Sequence, residues 1–174
     1  MKTLRKSTIL FMALAVFAMI LTGCKKDSSS SNGGGGGNGG GGGQYGSITV
    51  GDNNYGIAFG CYMYDPEDDT FIISLFDRMN LEQANQFGIS ISGVHTMSNA
   101  IGAYTFTMEE PTPAGTCLGG LTSSSGVLVC NTGSITISQN GDKYTIEASG
   151  TAMAAGSRIL PFTVDFEGPL QEAN

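Results

Sequence analysis

Residues 134–150, SITISQNGDKYTIEASG, constrain the fold more than any other stretch of the chain. Large apolar side chains recur at every second position on either side of Asn140-Gly141. That alternation marks a strand with one buried face. Asn-Gly is the dipeptide favoured by a two-residue type I′ hairpin, because both central positions need positive φ. With the pair at the tip, Ile137 faces Tyr144 and Ile135 faces Ile146. Ile135, Ile137, Tyr144 and Ile146 then share a buried face, and Thr136, Ser138, Lys143 and Thr145 share the other.

The same period runs through residues 46–174, punctuated by turn signals, as in an all-β domain. Ile48 and Val50 open it. Tyr55, Ile57, Phe59, Cys61 and Met63 fall on one face of a long strand, with Tyr62 and Tyr64 on the opposite face. DPEDD, Asp65 to Asp69, is a turn. Phe71 to Phe76 is apolar on both faces apart from Ser74 and reads as a central strand. Asn80 to Gln86 reads as one or two helical turns ended by Gly88. Ile89 and Ile91 point inward. So do Tyr104, Phe106 and Met108, on a strand that Pro111 and Pro113 end. Phe162, Val164 and Phe166 line the inner face of the last strand. The 129 residues suit one domain with one core. The predicted fold is an antiparallel β-sandwich of about eight or nine strands, with a partly closed, lipocalin-like barrel as the alternative.

From residue 46 onward three basic residues, Arg78, Lys143 and Arg158, stand against fourteen acidic ones, which leaves a net charge of −11. Such a surface repels phosphate backbones, so nucleic acid is not an expected partner. Three cysteines lie in this part: Cys61, Cys117 and Cys130. Thr116 to Leu121 and Gly126 to Asn131 form a hairpin around TSSS. With Ser123 and Ser124 at its tip, Cys117 faces Cys130, and directly opposed residues lie within disulfide reach. Closing that loop adds on the order of 3 kcal/mol and leaves Cys61 as a buried thiol. Three reduced core cysteines are the alternative.

Residues able to carry chemistry are sparse. His95, the only histidine, sits in the loop-like GVHTMSNA, and no serine lies in a GxSxG setting. One histidine and scattered cysteines lack the paired spacing of a zinc site. The reading is therefore non-catalytic, without cofactor. Asp65, Glu67, Asp68 and Asp69 form a calcium candidate, but their spacing is not that of an EF-hand, and a solvated turn competes. Tyr62 and Tyr64 are either a ligand platform, for a glycan for example, or the inner side of a doubly covered strand.

The N-terminal part is of another kind. Residues 33–37 and 39–43 are all glycine, and four serines precede them. With nothing apolar to bury, this stretch is expected to be a flexible coil. About 20 such residues reach an r.m.s. distance of roughly 25 Å. Ahead of it, Lys2, Arg5 and Lys6 precede an apolar run of 13 residues, Ile9 to Leu21. That run is shorter than the ~20 residues that a membrane span needs, and it fits the apolar segment of a secretory signal.

Leu21-Thr22-Gly23-Cys24 resembles the lipobox of bacterial lipoproteins. The resemblance implies cleavage before Cys24, a diacylglyceryl thioether on its sulfur and acylation of the new N-terminus, with palmitate a typical chain. Two or three acyl chains hold a protein stably to a membrane. Lys25 after the cysteine favours the outer membrane by analogy with enteric bacteria, on its periplasmic or its surface face. GCKKD and the all-β pattern are similar to small cell-surface lipoproteins of the Bacteroidota. The expected organisation is a signal peptide over 1–23, an anchor and linker over 24–45 and a domain over 46–174. The expected role is binding or structural, with a glycan or protein partner at the cell surface. A surface glycan-binding module and a lipocalin-like carrier of a small apolar ligand are the alternatives.

Overall fold

A computed structural model describes residues 45–81, 84–109, 112–123, 126–154 and 158–173. The signal peptide, Cys24 and the glycine-rich linker lie outside the described residues. The strands are β1 (Gly46–Val50), β2 (Asn53–Gly56), β3 (Phe59–Asp65), β4 (Thr70–Phe76), β5 (Gln86–Ser92), β6 (Gly102–Phe106), β7 (Thr116–Ser123), β8 (Gly126–Asn140), β9 (Lys143–Ala154), β10 (Ile159–Gly168) and β11 (Leu170–Glu172). One helical turn, α1 (Met97–Ala100), precedes β6 and is capped by the Thr96 side chain. No helix among the described residues is long and apolar enough to cross a membrane.

The domain is all-β. The 11 strands of the described residues form one curled sheet, a half-barrel, in the order β11-β3-β4-β5-β7-β6-β8-β9-β10-β1-β2. Pairing is antiparallel except for β11 with β3 and β6 with β7. The chain itself brings the two ends of this order together. β2 runs into β3 through Ile57 and Ala58. The Ile57 N–H donates to the Gly46 carbonyl at 2.8 Å, and the Ala58 N–H donates to the Phe76 carbonyl at 2.7 Å. The first bond extends the ladder beside β1, and the second starts the one beside β4.

Curling places one face of nearly every strand against a common core. Phe87 on β5 and Phe162 on β10, five places apart in the sheet, meet with ring centroids 6.1 Å apart, and Phe106 touches both. Phe71, Ile73, Leu75, Ile89, Ile91, Ile135, Ile137, Ile146, Val164 and Phe166 complete the lining. Burying each of these side chains contributes about 1.5–3 kcal/mol. The exposed Lys143–Glu167 pair contributes about 0–1 kcal/mol. The core therefore holds the fold. A smaller cluster of Cys61, Ile72 and Phe76 covers the outer face of β3 and β4.

The structure corrects several sequence expectations. Ile57 and Phe59 do not share a face, because the chain passes from one end of the sheet to the other between them. Ile57 joins the main core, and Phe59 and Met63 pack on the outer cluster. Gly88 ends no helix; it lies within β5, opposite Ser74 and Gly120. Met108 lies beyond the end of β6 and is exposed.

The β8–β9 hairpin has the predicted faces but a different register. Ile137 pairs with Ile146, and Asn140 pairs with Lys143. Gly141 and Asp142 form the tip. Gly141 has φ +61°, and Asp142 is not in the positive-φ region. A glycine at the first central position is the type II′ arrangement. Sliding each strand by one residue in opposite senses leaves every side chain on its original face. The hydrophobic pattern therefore accepts both registers, and the turn decides between them.

The β7–β8 hairpin shows the same slip. Gly120 pairs with Val129, and the next step of that register brings Cys130 to Gly119 rather than to Cys117. Beyond Gly120 the two strands part and β6 enters between them, pairing with β7 on one side and β8 on the other. Cys117 and Cys130 are buried free thiols, which corrects the expected bridge.

Candidate functional site

Among the described residues, one end of the half-barrel is open. A cleft of about 410 Å³ lies among the β1–β2 turn, the start of β5, the β7–β8 hairpin and the strand ends of β9 and β10. Strand periodicity gives it two kinds of wall. Ile48, Val50, Tyr55, Leu121, Leu128 and Leu160 line it and are also part of, or packed on, the main core. Phe87 and Phe162, cross-strand neighbours of Leu121 and Val50, fill the interior beside it. Polar residues also line it: Asp52, Asn53, Asn85, Gln86, Thr122, Ser123 and Arg158.

The polar side is partly fixed from behind. Asp77, with its side chain only 6% exposed, accepts hydrogen bonds from the Asn85 backbone N–H at 2.8 Å and from the Arg78 guanidinium at 3.0 Å. Gln86 is buried and donates to Ser74 Oγ at 3.0 Å. The Thr122 hydroxyl oxygen is buried without a hydrogen-bond partner among the described residues. Arg78 and Lys143 are each paired with an acid, whereas Arg158 has no ion pair among the described residues.

A second polar group lies at the opposite end of the β4–β5 ladder, beside the Thr70–Ser92 pair, whereas the cleft lies beside the Phe76–Gln86 pair. Asp69 Oδ1 accepts a hydrogen bond from the Tyr64 hydroxyl at 2.9 Å and lies 2.7 Å from His95 Nε2. The His95 and Tyr64 rings stand nearly perpendicular, with centroids 5.0 Å apart. These bonds hold the Asp69 carboxyl below its usual range, with the Tyr64 bond the larger cause, and the bond to Asp69 raises the Tyr64 hydroxyl. Asp69 carries φ +50°, the only positive φ outside glycine among the described residues.

Several sequence candidates therefore have other duties. Tyr62 stacks on Phe71 with centroids 5.6 Å apart, and both Tyr62 and Tyr64, half-buried, pack against the main core. Burial raises the Tyr62 hydroxyl. Asp65 accepts the Glu67 N–H. The four acids of the turn do not converge, and no group of three or more His, Cys, Asp or Glu side chains among the described residues can hold a metal ion. The only side-chain partners of His95 among the described residues are Asp69 and Tyr64. Burial pushes the Cys117 thiol up to about 12 and raises the Cys130 thiol further.

Comparison with family models, curated proteins and solved structures finds no match to this chain. Sequence reading missed the cleft, which is assembled from four separated segments. The alternation of Ile48 and Val50 marks a strand but carries no sign that it borders a cleft.

Proposed function

We propose that this is a lipid-anchored protein of the bacterial cell envelope whose single β domain has a binding, non-catalytic role. The observation that carries the reading is the order of basic start, apolar run, Leu21-Thr22-Gly23-Cys24 and glycine-rich stretch. The anchor holds the chain at the outer membrane, and the linker lets the domain stand clear of the headgroups. Metabolic labelling with palmitate tests this. The natural chain should take up label and Cys24→Ala should not. Equal labelling of the two would overturn the anchor.

Within that role, the open cleft favours a carrier or sensor of a small molecule over a glycan platform. A volume of about 410 Å³ falls in the range of small-ligand sites, and the wall combines apolar and polar side chains in similar measure. Tyr62 and Tyr64, on which a stacking platform would rest, are engaged with the core.

A further inference from the structure

We infer that the cleft takes a small amphiphile with an anionic head, its apolar body against the half-buried Tyr55, Val127, Leu128 and Leu160 and its head at Arg158; this rests on the small-molecule reading of the cleft. The argument is one of charge and position. The domain has three cations, and two of them, Arg78 and Lys143, are held by acids. Arg158 lines the cleft at the start of β10 and is exposed. Asp52 lines the same cleft, yet no ion pair joins the two among the described residues. A guanidinium left unpaired in an otherwise acidic domain is a local anion receptor, since it offers a planar fork of donors that matches a carboxylate. Two places along the strand, Leu160 turns into the cleft. A molecule whose head meets Arg158 thus has an apolar wall directly beside it.

The overall charge of the domain sharpens the claim. A net charge near −11 does not attract anions at long range. Selectivity for an anionic head must then come from Arg158 itself, and its removal should abolish the selectivity.

The test uses the acylated protein in lipid nanodiscs, with empty nanodiscs as blank. Calorimetric titration compares octanoate with octanamide, which share a tail and differ in head charge. Octanoate should bind saturably at one site, about tenfold or more tighter than octanamide, the size of one charge-assisted contact. Arg158→Gln should remove that difference by weakening octanoate alone, with the thermal melt unchanged. Equal affinities in the natural chain, unaffected by Arg158→Gln, would overturn the head-group inference while leaving the cleft as a binding site. No saturable binding of either compound would overturn the inference and the small-molecule reading together.

Discussion

Gly133 and Gly150 lie directly opposite each other on β8 and β9, and neither position has room for a side chain. A Cβ on Gly133 would come 2.0 Å from the Ser149 carbonyl oxygen, and one on Gly150 would come 2.0 Å from the Thr132 carbonyl oxygen. The close approach sits beside an irregularity at Cys130/Thr132, where the register shifts by one residue. Such a bulge changes which side chains face inward. It lets Cys130 and Ile135, of opposite parity, both enter the core. Gly150→Ala should therefore destabilise by about 1–3 kcal/mol, the range for forcing atoms into a filled space. Urea denaturation measures it, and an unchanged midpoint would contradict the close crossing.

The β8–β9 hairpin yields a second prediction. Ile137 is 1% exposed and faces Ile146 across the strands. Ile137→Ala should cost about 2–5 kcal/mol, whereas Thr136→Ala, on the exposed face, should stay within about 0.5 kcal/mol. Gly141→Val should also destabilise, because a β-branched residue resists the φ of +61°. Cross-strand nuclear Overhauser effects would show directly whether Asn140 lies opposite Lys143.

The faces of this domain were legible in its sequence and the registers were not. Ile135, Ile137, Ile146, Phe162, Val164 and Phe166 all point inward as their alternation implies. A shift of one residue on each strand preserves that alternation, so Asn140-Gly141 and Ser123-Ser124 suggested tips that the folded chain does not use. The disulfide expected between Cys117 and Cys130 depended on such a register. Tyr62 and Tyr64 had two readings because alternation within one strand cannot say which face is the inside. The passage through Ile57 and Ala58 decides it, and that passage depends on how the whole sheet curls. The cleft was illegible for the same reason.

Buried thiols should behave differently from exposed ones. Cys117, pushed up to about 12 by burial, stays protonated near neutral pH, and the thiolate is the reactive form. Native protein at pH 8 should leave Cys117 and Cys130 unmodified by iodoacetamide, and unfolding in guanidinium should expose both. Rapid alkylation of either in the native state would show that the fork between β7 and β8 is open.

The Tyr64–Asp69–His95 group gives a prediction in pH. The folded state holds the Asp69 carboxyl below its usual value. A depressed carboxyl contributes stability that is present above its unfolded pKa and is lost as pH falls through the folded one. Carbon-13 titration of the Asp69 carboxyl should show a midpoint below the ordinary ~3.9. Tyr64→Phe should raise that midpoint, since the Tyr64 bond is the larger cause. An unshifted carboxyl in the natural chain would mean that the hydrogen bonds do not persist in solution.

Mass spectrometry of the N-terminal peptide of the membrane-extracted protein tests the central claim most directly. A thioether uses up the Cys24 sulfur, so acylation and a disulfide at that residue exclude each other. The predicted peptide begins at Cys24 and carries a diacylglyceryl group on sulfur, with a further acyl chain on its amine. A peptide that begins elsewhere, or a Cys24 found as a thiol or in a disulfide, would contradict the account.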